Sequence, residues 1–390
     1  MKLQVFYHAY GERVLMGTLS DTAGGISFVY DPHFLGLGIE VSPFKLPLEN
    51  RVFHGDRHYA DGLAGVFSDS LPDAWGCLLL DRKLSRAGRL YSARTPLERL
   101  ALAGSNPWGA LEYEPAETVA DEKELKINLD ILAEDAECIW QGRPSGMLEE
   151  LIKLNGSSGG ARPKITALVS KDKKQIIYQG KKVPRGFSPW LIKFAQKLDR
   201  PDIGVQEYVY SLLAKKAGIK MPETFLFPSQ FGPGHFGVQR FDRVGPEKVH
   251  VHTASGLLHA DFRTSYMDYA NLLKLTAMLT KDQQDVEQMV RLMIFNVKAG
   301  NKDDHSKNFS FYLDRCHAWH LAPAYDLTRS EGINGEHTAM VNGKGKDILD
   351  QDLIEEAAKA NVSGVKVKAM LEQVQDALAD YEKLMQEFKA

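Results

Sequence analysis

The sequence predicts an α+β protein. A small N-terminal α+β unit is followed by a connector and then by a larger region that opens with strands and ends in a mainly helical lobe. Three observations carry this reading. Short strand-like runs separated by Asp and Gly fill the first 115 residues. Strand candidates return at 164–169 and 189–195. Helical periodicity then takes over, at 268–280, at 283–299 and through the stretch from Gln351 to Ala390.

In chain order, Met1 to Tyr7 alternates like a strand, and Val14–Leu19 and Ile26–Tyr30 are further strand runs broken by Asp21, Gly24 and Gly25. Asp69 or Ser70 is placed to cap a helix with Pro72 in its first turn, and the run from Trp108 to Tyr113 closes the unit at about residue 115. Residues 116–150 are acidic and helix-prone from Glu117 through Glu137, which predicts a solvated helical connector. The larger region, 151–390, divides into a strand-bearing part at 151–245 and a helical part at 246–390. Gln206 to Ala217 reads as a helix ended by Gly218, and the helix at 283–299 ends at Gly300.

With 390 residues, 44% of them hydrophobic and 25% charged, the chain buries a large core without disulfides. A net charge of -3 argues against a dedicated nucleic-acid binder. Cys77, Cys138 and Cys316 follow no pairing pattern, which fits a reducing compartment. The N-terminus lacks a signal-peptide apolar core, and no apolar run approaches the ~20 residues that span a bilayer. These features predict a soluble cytoplasmic protein that makes no membrane contact.

The chemistry is concentrated in Gly300-Asn301-Lys302-Asp303-Asp304-His305-Ser306-Lys307-Asn308, followed after a short hairpin by Tyr325-Asp326-Leu327. Asp303 stands five positions before Asn308, and Asp326 lies on a later turn. Phosphoryl transfer of the protein-kinase type uses such a set: one Asp takes the proton of the attacking hydroxyl, while the Asn and the second Asp hold Mg²⁺ against nucleotide phosphates. Asp303 is the candidate base, Asn308 and Asp326 are candidate metal ligands, and Lys307 is placed to neutralise the transferred group. His305 reads as a residue that orients this loop. Individually, Asp303, Asp304, Asn308 and Asp326 are also ordinary turn residues.

Upstream lies Asn155-Gly156-Ser157-Ser158-Gly159-Gly160-Ala161-Arg162-Pro163-Lys164. Gly156, Gly159 and Gly160 let backbone N–H groups approach phosphate oxygens, and Lys164 offers an ammonium at a strand start. The Gly-Lys-Ser/Thr ending of a Walker A loop is missing, and a flexible loop has the same composition. Lys193 sits inside the apolar run Trp190–Phe194, where burial demands a partner. Glu207 on the next helix is a candidate, and an edge-strand Lys reaching solvent is the alternative. Phe236 to Arg243 reads as a strand at a hinge, with Gln239 and Phe241 as nucleotide-contact candidates, and is equally compatible with core packing and an ion pair. His250, His252 and His259 match no zinc spacing, so structural histidines are expected there.

Taken together, Gly159 to Lys164, Arg240-Phe241-Asp242-Arg243, Asp303 to Asn308 and Ala324 to Thr328 resemble the HipA-family serine/threonine kinases, toxins of bacterial type II toxin–antitoxin systems. Phe67 to Pro72 and Gly109 to Leu111 are similar to that family's N-terminal subdomain. The resemblance covers most of the chain. It implies a two-lobed protein-kinase-like fold, ATP and Mg²⁺. It implies Asp303 as base, Asn308 and Asp326 as metal ligands, and Lys164 and Lys193 as nucleotide contacts. It further implies autophosphorylation in the Gly-rich loop, at Ser157 or Ser158, which would place about two negative charges where ATP phosphates must sit. An aminoacyl-tRNA synthetase is the kind of target implied, and a separate helix-turn-helix antitoxin would be the partner through which DNA is met. The segment from His252 to Asp261 and the Ser157-Ser158-Gly159-Gly160 wording depart from some relatives. Two other functions compete: a small-molecule phosphotransferase of the same fold, and a catalytically silent co-repressor module.

Overall fold

Alternating buried and exposed positions in β1 (Lys2–Ala9) set the first sheet, because successive side chains of a strand point to opposite faces. β2 (Glu12–Thr22) returns antiparallel with a bulge opposite Val5 and Phe6, and β3 (Gly25–Tyr30) and β4 (Val52–His54) extend the sheet. β5 (Leu111–Glu114) pairs with the other side of β1, giving the order β4-β3-β2-β1-β5. Tyr7, Phe28, Tyr30, Phe34, Phe53 and Phe67 pack as mostly edge-to-face or tilted rings beneath it, with Phe34 carried on α1 (Pro32–Leu37) and Phe67 on α2 (Gly65–Ser68). The structure is a computed structural model and describes residues 1–390 except 73, 86–87, 89, 91–93, 105–106, 117–125, 156–161, 178–182, 262, 264–266 and 390.

α3 (Ala74–Ser85) follows Pro72, and the Ser70 hydroxyl accepts from buried Tyr113 Oη at 2.8 Å. α4 (Pro96–Ala103) starts on a Thr95–Glu98 capping box. α5 (Leu129–Trp140) and α6 (Leu148–Asn155) lead into the second sheet, built from β6 (Lys164–Ser170), β7 (Ile176–Ile177), β8 (Phe187–Lys193), β9 (Thr224–Phe227) and β10 (His235–Gln239) in the order β7-β6-β8-β10-β9. Trp75 and Leu79 of α3, Leu132, Ala136 and Ile139 of α5, and Leu151 of α6 share one core with Ile165, Ala167, Trp190 and Ile192 of the sheet. The expectation of a solvated connector at 116–150 is therefore corrected from residue 129 onward. Leu129, Leu132, Ala136 and Ile139 form a buried stripe at helical spacing, and the acidic residues of α5 occupy its other face. Residues 117–125 of that segment lie outside the described residues.

These elements, with residues 225–251, make the first of two compact units, Met1–Gly204 plus Phe225–Val251. β11 (Arg243–Val244) and β12 (Glu247–Lys248) form a small hairpin within it. The second unit is Val205–Thr224 plus His252–Ala390. It holds most of α7 (Ile203–Lys216), which ends as expected before Gly218, where φ is +80°. β13 (His250–Thr253) leads into α8 (Ala254–Leu258), and β14 (Met267–Asp268) pairs in parallel with β17 (Ala339–Met340). α9 (Tyr269–Thr280) and α10 (Gln283–Ala299) are capped by Asp268 and Asp282, and Gly300 ends α10 with φ +69°. β15 (Ser310–Leu313) and β16 (Trp319–Leu321) are the hairpin read from the sequence. α11 (Asp350–Ala358), α12 (Gly364–Leu378) and α13 (Tyr381–Lys389) complete the helical lobe. Among the described residues, no helix is long and apolar enough to cross a membrane.

Candidate active site

In the second unit, the loop after Gly300 is held by a chain of buried hydrogen bonds. Asn301 Nδ2 donates to Asn296 Oδ1 at 3.0 Å, Asn296 Nδ2 to Tyr269 Oη at 2.9 Å, and Tyr269 Oη to Asp304 Oδ2 at 3.1 Å. The other contacts to the Asp304 carboxylate come from His337 Nδ1 at 3.0 Å and the backbone N–H groups of Thr338 and Ala339 at 2.9 and 3.0 Å. Asp304 is fully buried, so this carboxylate fastens the loop to the turn before β17. Burial, reinforced by Asp304, pushes the Tyr269 phenol well up, and it stays a donor at any ordinary pH.

Asp303 differs from its neighbour. Its N–H donates to Ser330 Oγ at 2.8 Å, but 63% of its side chain is exposed. A fixed backbone with an accessible carboxylate suits a base that must meet an incoming hydroxyl. His305 Nε2 lies 3.8 Å from Asp303 Oδ1, consistent with a residue that orients the loop. Asn308 N–H closes a turn onto His305 O at 2.8 Å, and Asn308 Nδ2 donates to the Asp303 carbonyl at 2.6 Å. That bond commits the amide nitrogen and leaves Oδ1 as the end of Asn308 suited to a cation.

Tyr325 ties the second Asp to the same loop. Its hydroxyl donates to Lys307 O at 2.6 Å and so accepts from Ser310 Oγ, also at 2.6 Å. The next residue, Asp326, has φ +56°, a left-handed conformation that Asp tolerates better than most residues. Two residues on, Thr328 Oγ1 donates to Gln206 Oε1 on α7 at 3.4 Å. Tyr210, also on α7, donates to Ala299 O at 2.7 Å, just before Gly300. Helix α7, on which Glu207 is buried, is thus bonded to both ends of the loop system.

The donor set fits a small hard cation. Among the described residues, no three His, Cys, Asp or Glu side chains gather as a metal cluster. Mg²⁺ instead takes one or two carboxylates with phosphate oxygens and water. Asn308 Oδ1 and the Asp326 carboxylate supply oxygens of that kind.

In the first unit, the strand register sets Lys164 directly opposite Lys193, and Lys193 directly opposite Phe236. By strand alternation both lysines lie on the face away from Ile165 and Ile192. Lys164 is only 1% exposed, Trp75 Nε1 donates to its carbonyl at 3.2 Å, and Lys193 Nζ stands 5.7 Å from the Phe236 ring. Gly156, Ser157, Ser158, Gly159 and Gly160 lie outside the described residues.

The strand end read as a hinge is a buried ion network. Gln239 pairs with Trp190, and Phe241 meets Trp108 edge-on at 6.0 Å. Arg240 binds the Asp242 carboxylate through both Nε and Nη2, at 2.8 and 2.6 Å, and Arg243 Nη1 reaches it at 2.6 Å. Burial would raise the Asp242 carboxyl, but the two guanidinium groups hold it well below the carboxylate range. Burial and the neighbouring Arg240 lower Arg243 to about 10, against the pull of Asp242. Of the three histidines, His250 Nε2 bonds Val41 O at 2.9 Å and His259 closes α8 with φ +53°.

Sequence reasoning missed the anchoring role of Asp304, with Tyr269, His337 and Ser330 around it. The doubled Asp was the available signal, but its partners lie about 30 residues away on either side.

The fold is matched by a solved structure of a Shewanella oneidensis MR-1 toxin–antitoxin complex of HipA, HipB and operator DNA, with a TM-score of 0.71 at 18% identity over 99% of this chain and 90% of that one. The shared architecture is that of an α+β protein with a protein-kinase-like fold. A candidate kinase of Sinorhizobium fredii, Y4dM, is 26% identical over 254 residues, which is 60% of this chain and 59% of that protein. The chain therefore spans about three-fifths of the curated relative it matches. The HipA-like C-terminal domain matches residues 156–381 and the HipA N-terminal domain residues 7–114. The chain belongs to the HipA family.

Proposed function

We propose that the chain is an ATP- and Mg²⁺-dependent protein serine/threonine kinase of the HipA toxin type. The observation that carries this is the construction of the 300–308 loop. A buried Asp304 fixes the backbone, leaving Asp303 exposed and Asn308 turned by its bond to the Asp303 carbonyl. In the proposed step, the substrate hydroxyl oxygen bonds to the γ-phosphorus as the bond to the β–γ bridging oxygen breaks. ADP leaves, and the hydroxyl proton passes to the Asp303 carboxylate. Lys307 offsets charge on the transferred group. Asn308 and Asp326 would hold Mg²⁺, whose chemistry is to neutralise phosphate oxygens. Lys164 and Lys193 would contact the nucleotide, with Gln239 and Phe241 at its base and Glu207 supporting.

Ser157 or Ser158 is the proposed autophosphorylation site, and a translation-related protein such as an aminoacyl-tRNA synthetase the proposed target. A separate antitoxin is the proposed partner, by analogy with the HipB found beside the Shewanella HipA, and DNA would be reached only through it. The test is incubation with Mg²⁺–ATP and phosphate mapping by intact and peptide mass spectrometry. Phosphate on chain or protein target supports the proposal. Phosphate only on a metabolite, or none with no nucleotide binding, would replace it with a small-molecule phosphotransferase or a silent co-repressor.

A further inference from the structure

The loop Pro107–Gly109 belongs by sequence to the N-terminal subdomain, yet four contacts dock it on the strand end at 241–251, within the first unit. Gly109 N–H donates to Asp242 Oδ2 at 3.1 Å, and Arg243 Nη1 and Nη2 donate to Gly109 O and Pro107 O at 3.0 and 2.9 Å. The residue between them, Trp108, sets its ring edge-on against Phe241, 6.0 Å between centroids at 70°. Gly109 has φ +78°, and a Cβ there would lie 3.3 Å from Val251 N. A side chain there would be strained by that backbone and would press on Val251, so glycine is favoured.

A second contact ties the same subdomain to the β11–β12 hairpin through Lys248, while Arg13 and His8 hold Glu112 from within the subdomain. Glu112 binds Lys248 at 2.6 Å, Arg13 at 2.8 Å and His8 at 2.7 Å. Glu112 and Lys248 would hold the subdomain in place without touching Phe241. Trp108 does something more specific, since its contact falls on a residue assigned to the nucleotide. The clamp around it is buried and bidentate, so the loop and the strand end move as one body.

We propose that Trp108 is a positioning residue for nucleotide binding: the N-terminal subdomain, through the clamped loop Pro107–Gly109, sets the place of Phe241 and the backbone beside it. This rests on the kinase reading above. An edge-to-face ring contact is worth a factor of about two to ten in an equilibrium constant, and that is the size of effect expected on ATP affinity.

The experiment measures Mg²⁺–ATP binding by calorimetry and steady-state transfer for the full chain and for Trp108→Leu and Trp108→Phe. Trp108→Leu keeps apolar bulk and is chosen so that folding is retained, which a melt without nucleotide checks. Trp108→Phe keeps an aromatic edge. The expected result is a two- to tenfold rise in Kd and KM for ATP in Trp108→Leu, unchanged kcat, and substantial rescue in Trp108→Phe. Equal affinities in all three proteins overturn the positioning role and leave the kinase reading intact. A fall in kcat with unchanged KM also overturns it. Failure of the wild type to bind ATP overturns both, and is told apart because it appears without any substitution. If Trp108→Leu melts early, Trp108→Met, which also keeps apolar bulk without a ring, takes its place: the same two- to tenfold weakening of ATP binding is expected, and wild-type affinity rejects the proposal.

Discussion

Removing the Asp304 carboxylate is expected to do more damage to the 300–308 loop than removing any other single group in it. In Asp304→Ala, Tyr269 Oη, His337 Nδ1 and the N–H groups of Thr338 and Ala339 lose their shared partner in a fully buried place. Hydrogen bonds to a charged group are worth roughly 1.5–3 kcal/mol each, so four sum to about 6–12. They share one acceptor and relax together, so the sum overstates the effect. About 3–5 kcal/mol is the expected loss, the range found when one partner leaves a buried charged network. Asp304→Asn keeps the shape but turns one oxygen into a donor, facing either two backbone N–H groups or the Tyr269 and His337 pair; about 1–3 kcal/mol is expected. Urea unfolding gives the total, and amide hydrogen exchange gives the location, which matters because two compact units need not unfold together. Protection at Thr338, Ala339 and Asp303 should fall first. An Asp304→Ala protein within about 0.5 kcal/mol of wild type, with those amides still protected, would refute the anchoring role.

Three further outcomes follow from the same geometry. Lys248, with hydrogen bonds from Arg13, Lys248 and His8, outweighs burial and holds Glu112 at about 2 against an ordinary 4.5. Because the folded value is the lower one, its stabilisation is present above pH 4.5 and drains away as pH falls toward 2. With solvent screening and the cost of burying Lys248 allowed for, about 1–2 kcal/mol of that difference reaches stability, and Glu112→Gln should flatten the stability–pH curve across this window; an unchanged slope contradicts the network. Gly300→Ala has room, since the nearest atom to the new Cβ is 4.0 Å away, so only the left-handed φ of +69° costs, about 1 kcal/mol by urea midpoint. Mg²⁺–ATP at 100-fold over its Kd should stabilise the wild type by about 2.7 kcal/mol, and Asp326→Ala should lose most of that gain; an equal gain would remove Asp326 from the metal site.

Much of the helical lobe was legible because its signals are local. α9 and α10 begin and end within a residue of the bounds 268–280 and 283–299 read from the sequence, and Gly300 closes α10 as expected. The Asp303–Asn308 spacing was legible for the same reason, as was the hairpin from Ser310 to Leu321. What escaped was decided at a distance. The acidic surface of α5 hid the Leu129–Ile139 stripe, whose partners Trp75 and Ile165 are many residues away. Arg240, Asp242 and Arg243 read equally as a surface pair, because their other partners, Pro107 and Gly109, lie more than 130 residues earlier. Asp304 looked like a second turn residue until His337 and Tyr269 closed on it.

The most direct measurement is phosphate transfer by the purified chain with Mg²⁺–ATP, beside Asp303→Ala. A positioned base contributes roughly 10²–10⁴-fold, so the wild type should carry phosphate on Ser157 or Ser158, or pass it to a protein hydroxyl, while Asp303→Ala falls by at least that lower factor and still binds nucleotide. Equal transfer by both proteins would contradict the assignment of Asp303 and, with it, the proposed chemistry of the loop.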